Sequence, residues 1–283
     1  MLPYLWMLWG ALAFAIMSTL AHALVPHCDW QMVALARSGL ALVFAVALAI
    51  AGGAQLVYSR PRTLWMRSIA GSLSLVCSFY AFSRLPVSDV LTLTSMFPVW
   101  VAILSWPLLG HAPQRDVWLG VVCGLAGVVL IQQPHLAQGN LASLAAIVAS
   151  FTSAVALIGL HRLQGIDPRA VVVHFSAVSL VFVAASFFLF DTTRSAVSHM
   201  DLDGLTSAML LGVGLSATIG QLLLTKAFAA GAPAKVSVVC LSQVGFGMIF
   251  DVVFWQRTFS PLTLVGMLMV MLPTAWLILR RGT

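Results

Sequence analysis

The chain has 283 residues, 61% of them apolar and only 8% charged, with a formal net charge of +6. A soluble domain carries about 25% charged residues and must still cover itself with polar surface, so this composition excludes a water-soluble globule and makes lipid the solvent. The positive balance has no basic cluster behind it, which argues against nucleic-acid binding. The four cysteines (Cys28, Cys77, Cys123 and Cys240) lack the paired spacing of a zinc site or disulfide framework.

A helix needs about 20 apolar residues to cross the hydrocarbon layer. Runs of that kind predict ten spans near residues 4–23, 31–52, 65–84, 88–109, 116–132, 140–161, 169–190, 204–229, 235–254 and 261–279. The opening "MLPYLWMLWG" has no lysine or arginine ahead of its apolar run and no clean cleavage site, so it reads as the first span and not a removable signal. The breaks fall at turn chemistry or charge: "VPHCD", "SRPRT", "GHAPQRD", "QQPHLAQGN", "QGIDPR" and "DTTRSAVSHMDLDG". Trp30, Trp65, Trp118 and Trp255 stand at span edges, where an amphipathic ring suits the interface. The alternating segments of a membrane β-barrel are missing. The expected fold is therefore an all-α integral membrane bundle of ten helices.

Lysine and arginine bias sets the orientation. With the N-terminus inside, the cytoplasmic face collects Arg60, Arg62, Arg67, Arg115, Arg162, Arg169, Lys226, Lys235, Arg280 and Arg281. The other face collects Arg84, Arg194 and Arg257, while Arg37 falls within a span. Both termini are expected in the cytoplasm, with the chain multi-pass in a bacterial inner membrane. Displacing the chain on itself by 146 positions lays "AFSRLPVSDV" over "AFAAGAPAKV", Ile103 over Ile249 and Gly120 over Gly266. Spans 3 to 5 then fall on spans 8 to 10. Five spans is an odd number, so the second copy must enter the membrane upside down. Residues 1–135 and 136–283 are expected to be two inverted five-helix repeats, an architecture of secondary transporters whose solute site lies between the copies.

The stretch "RSIAGSLSLVCSFYAFSRLPVSDVLTLTSMFPVWVAILSWPLLG", with Arg67, Tyr80, Pro86, Asp89 and Pro98, resembles the first-repeat core of EamA-type drug/metabolite transporters. The likeness is nearest to the branch holding S-adenosylmethionine-transporter-like proteins and the G-type members of solute carrier family 35. "GQLLLTKAF" resembles the matching part of the second repeat. The resemblance implies ten helices, cytoplasmic termini and a central solute cavity, but no particular solute. One departure stands out. Many relatives end span 4 with Gly-Glu, whereas this chain has Gly110-His111, with Gln256-Arg257 at the second-repeat counterpart and no glutamate anywhere.

A charge at the centre of a lipid-facing helix costs about 2.5–3.5 kcal/mol on insertion scales, so charges within spans call for an explanation. Arg37 has three open readings: it snorkels to the outer headgroups, it faces a cavity, or it forms a structural pair with another helix. Gln221 lies well inside span 8 on one face with Thr218 and Thr225. Lys226 closes span 8, where the helix dipole favours a cation and the side chain can snorkel. Lys235 sits in the first turn of span 9, where a cation is disfavoured unless an anion approaches. It reads as the residue that meets a solute's negative group, with positive-inside anchoring as the rival. Ser242 and Gln243 follow on span 9, and span 4 repeats the pattern with Asp89, Thr92 and Ser95. Tyr80 and Arg84 share a face of span 3, as Ser18 and His22 do on span 1. His22 and His174 read as solvated caps. The expected substrate-binding set is Lys235, Arg37, Gln221, Tyr80, Ser242, Gln243, Thr92, Ser95 and Thr225. Pro98 and Pro273 are expected to kink spans 4 and 10. Gly120 and Gly124, and Gly212, Ser216 and Gly220, have small-residue spacing for close helix packing.

Cations outnumber carboxylates in and near the spans, which favours an anionic or zwitterionic metabolite moved by alternating access, as facilitated diffusion or exchange. An exporter of drugs and toxic compounds is the alternative. A membrane-embedded enzyme is disfavoured, because no catalytic cluster is recognisable and Walker and Rossmann glycine patterns are missing. No catalytic residue, metal ligand or cofactor is expected. The expected partners are a small-molecule solute and the bilayer, no nucleic acid, with a homodimer left open.

Overall fold

A computed structural model describes residues 1–24, 27–28, 30–82, 84–85, 87–110, 112–133, 141–189, 203–256 and 258–279. Among these the regular structure is helical throughout. The helices are α1 (Leu2–Ala23), α2 (Trp30–Ala51), α3 (Arg62–Phe82), α4 (Val87–Thr94), α5 (Phe97–Leu109), α6 (Arg115–Gln132), α7 (Leu141–His161), α8 (Pro168–Leu189), α9 (Gly204–Ala230), α10 (Pro233–Cys240), α11 (Ser242–Trp255) and α12 (Pro261–Leu279). They make ten crossings, because α4 with α5 and α10 with α11 each form one broken span. Nine crossings are long and apolar enough to span a bilayer by composition. The tenth, α3, carries Arg62 and Arg67.

The first break has a local cause in the sequence. Pro98 occupies the first turn of α5 and has no N–H to offer the Thr94 carbonyl, which weakens the helix at this point. The chain tightens instead, with Met96 N donating to Leu93 O and Val99 N to Met96 O. In the second half no proline is present at the break. There Leu241 N donates to Val238 O, Val244 N to Leu241 O, and the Ser242 hydroxyl to Val239 O at 2.7 Å. Pro273, by contrast, lies within an unbroken α12. The expected single helices over 88–109 and 235–254 are thus corrected to pairs.

The helix bounds repeat. A displacement of 146 carries Val87–Thr94 onto Pro233–Cys240 and Arg115 onto Pro261, and a displacement of 138 carries Trp30–Ala51 onto Pro168–Leu189. Packing exchanges elements between the halves: α1 lies against α9, α10 and α11, while α7 lies against α3, α4 and α5. Between α6 and α12 the backbones nearly touch, since a Cβ on Gly127 would stand 2.6 Å from Gly266 O. Small residues permit that approach where lipid supplies no hydrophobic drive.

The two ends of the bundle differ. At the end carrying Leu2 and Leu279, α10 is buried along most of its length and packs against α5, α6 and α7. Its counterpart α4, at the far end, makes no comparable packing with α11 or α12 among the described residues. The closed end is also tied by hydrogen bonds from the last turn of α7. His161 Nδ1 lies 3.2 Å from Phe228 O, and the Arg162 guanidinium donates to Leu108 O.

Candidate functional site

Buried polar side chains converge where α2, α3, α8 and α9 meet. Arg67, in the second turn of α3, is 3% exposed. Its guanidinium lies 3.8 Å above the Phe175 ring of α8, and Nη2 donates to Gln221 Oε1 of α9 at 3.1 Å. Its Nε is buried without an acceptor. From α2, half-buried Arg37 donates through Nε to the Met17 sulfur at 3.3 Å, a weak acceptor. Arg37, Ser38, Phe175, Ser176, Ser179 and Gln221 line a cavity of about 10 Å³, with Ser38 and Ser179 hydroxyls 3.1 Å apart. That is room for about one water.

The helices that build this place carry no acid at all. Across α1, α2, α3, α8 and α9 the sequence contains no aspartate or glutamate. The effective cost of burying an ion is several kcal/mol, and geometry must repay it. For Arg67 the repayment comes from neutral groups only: a cation–π contact, worth about 2 kcal/mol when desolvated, and one hydrogen bond from the charged guanidinium to a neutral amide, about 1.5–3 kcal/mol. An approaching carboxylate or phosphate would meet the guanidinium with two parallel bonds, the stronger arrangement.

One residue on along α3 and one residue back along α8, Ser68 Oγ and His174 Nδ1 lie 2.8 Å apart, and the His174 ring packs edge-on against Trp65 with centroids 4.7 Å apart. His174 is buried, so its reading as a solvated cap is corrected. The pairs Arg67–Ser68 and His174–Phe175 therefore clamp α3 to α8.

Of the nine expected binding residues, Arg37 and Gln221 meet at this cavity. Thr225 lies one turn beyond Gln221, its hydroxyl donating back to Gln221 O at 2.7 Å. Tyr80, Thr92, Ser95, Lys235, Ser242 and Gln243 do not line the cavity. Tyr80 is half-buried, with Arg84 5.8 Å from its ring centroid. Thr92 is buried on α4 and Ser95 half-buried at the helix break. Lys235 is half-buried in the first turn of α10 at the closed end, with Ser242 buried and Gln243 half-buried at the start of α11. Lys226 is exposed, 6.0 Å from the Trp6 ring centroid, as an anchor would be. His22 meets Trp255 at 5.1 Å.

Arg67, which its position groups with the cytoplasmic charges, is instead buried. Its signal in the sequence is helical spacing: Arg67, Ser68, Gly71 and Ser72 form a polar, small-residue stripe inside the apolar α3. Gly71 serves the arginine directly, since a Cβ there would stand 2.6 Å from Arg67 Nη1.

Comparison with known proteins gives a consistent picture. Residues 1–133 match the EamA-like transporter family. The chain is 24% identical over 267 residues to the pseudopaline exporter CntI of Pseudomonas aeruginosa, covering 91% of this chain and 89% of that protein. It is 24% identical over 234 residues to mouse solute carrier family 35 member G1, covering 77% of this chain and 62% of that protein. Among solved structures, one described only as the crystal structure of a protein superposes with a TM-score of 0.81 at 18% identity, covering 98% of this chain and 99% of the other.

Proposed function

We propose that this chain, an EamA-type transporter of the drug/metabolite superfamily, carries a small anionic or zwitterionic metabolite held at Arg67, Arg37 and Gln221. The observation that carries the reading is Arg67: a buried guanidinium, donating to a neutral amide, with a further N–H unmatched, among helices that contain no acid. A site that holds such a charge without a counter-ion gains most when the counter-ion arrives as cargo. The two halves, 1–135 and 136–283, act as the rocking units. The closed end faces the cytoplasm of a bacterial inner membrane, with both termini there. Lys235 meets the solute as that end opens. The cavity lining offers no carboxylate to carry a proton, which favours facilitated diffusion or exchange.

Thermal unfolding of the detergent-purified protein against a metabolite panel tests this. A ligand at about 100 times its Kd stabilises by about 2.7 kcal/mol. Anions or zwitterions are expected to stabilise the wild type and not Arg67→Gln. Stabilisation by cations or apolar drugs alone, equal in the variant, would reverse the reading in favour of a drug exporter.

A further inference from the structure

We infer that the solute is a compact dianion without an amino group, such as a small dicarboxylate or a phosphate monoester. The inference rests on the transporter reading above and narrows it. Two guanidinium groups stand at this place, one lining the cavity and one behind its lining. Arg37 lines it directly, and Arg67 is held by Phe175 and Gln221, which line it too. A bound group that takes the place of Gln221 on Arg67 would meet Arg37 from the cavity.

The donors and acceptors on offer are lopsided. Each guanidinium has five N–H donors. Arg67 gives one to Gln221 while its Nε has no acceptor, and Arg37 gives its Nε to a thioether. The hydroxyls of Ser38, Ser176 and Ser179 add donors that rotate to suit an oxyanion. What the lining lacks is negative charge: its residues are two helices' worth of serine, one glutamine, a phenylalanine, alanines and Arg37. An ammonium group would enter beside two cations with no carboxylate to receive it, so zwitterions are rejected. A monoanion matches one arginine and leaves the second uncompensated. A dianion matches both, and with two acceptor groups it takes paired bonds from planar guanidiniums.

The test is a charge series of near-equal size on purified protein at constant pH: succinate, its monoamide succinamate, aspartate, and glycerol 3-phosphate. Thermal stabilisation is read as a function of concentration. Succinate or glycerol 3-phosphate is expected to reach half-effect at least tenfold below succinamate and aspartate, and which of the two leads separates carboxylate from phosphate. In Arg37→Gln the preference for succinate over succinamate should fall toward unity while the monoanion still binds. Succinamate or aspartate matching the dianions in the wild type would overturn the dianion inference and leave the anion reading standing. No stabilisation by any of the four would overturn both. The wild-type series decides the matter even if Arg37→Gln does not fold.

Discussion

Replacing Arg67 by methionine separates a solute-binding arginine from a structural one. The change removes the contact with the Phe175 ring at 3.8 Å and the bond to Gln221 at 3.1 Å. Those losses come to about 2 kcal/mol for a desolvated cation–π pair and about 1.5–3 kcal/mol for a hydrogen bond to a charged group. Against them stands the effective cost of burying a guanidinium, several kcal/mol, which methionine of roughly similar length does not carry. Whole buried ion pairs replaced by apolar residues of similar volume are often neutral or stabilising by about 1–4 kcal/mol, and the helices around Arg67 hold no acid that its removal would leave behind. The solute-free variant should therefore unfold at the same temperature as the wild type or higher, by detergent thermal unfolding. Its solute-dependent stabilisation should vanish. A fall worth about 3–5 kcal/mol would refute the reasoning, because that is the signature of breaking a buried ion pair.

Other outcomes follow from the same geometry. Phe175→Leu removes the ring beneath Arg67, so the solute-free protein should lose about 0.5–2 kcal/mol of stability by thermal unfolding. Gly127→Leu forces α6 from α12, where even an added Cβ would stand 2.6 Å from Gly266 O. It should destabilise by about 1–3 kcal/mol by thermal unfolding, while Gly247→Ala, with nothing within 4 Å of the new Cβ, should not lower the midpoint. His161→Ala frees Phe228 O at the closed end. In a background without Cys28, Cys77, Cys123 and Cys240, a cysteine replacing buried Ala234 should then react faster with a thiol reagent supplied from the termini side.

Much of the fold is legible in the sequence because lipid imposes a simple rule: apolar runs of fixed length are spans. The displacement of 146 is legible too, and it carries Val87–Thr94 onto Pro233–Cys240. The break at Met96 is announced by Pro98, but its partner at Leu241 has no proline or other local marker. Its backbone turn becomes evident only in three dimensions. The site divides in the same way. Arg37 and Gln221 stand out as polar residues deep within apolar spans. Arg67 follows Arg60 and Arg62 closely and so reads as one more loop charge; its burial depends on Phe175 and Gln221, more than 100 residues away. Lys235 stands out locally, through an unfavourable helix-dipole position in the first turn of α10. His174 is decided by Ser68 and Trp65, neighbours that spacing along α8 does not reveal.

The central claim is that Arg67 holds the negative group of a transported solute. Exchange of labelled succinate across proteoliposomes, at matched amounts of folded wild type, Arg67→Lys and Arg67→Gln, tests it most directly. The account predicts saturable exchange in the wild type, weakened exchange with lysine, which keeps the charge but loses the planar fork, and none with glutamine. Saturable exchange that persists undiminished in Arg67→Gln would contradict it.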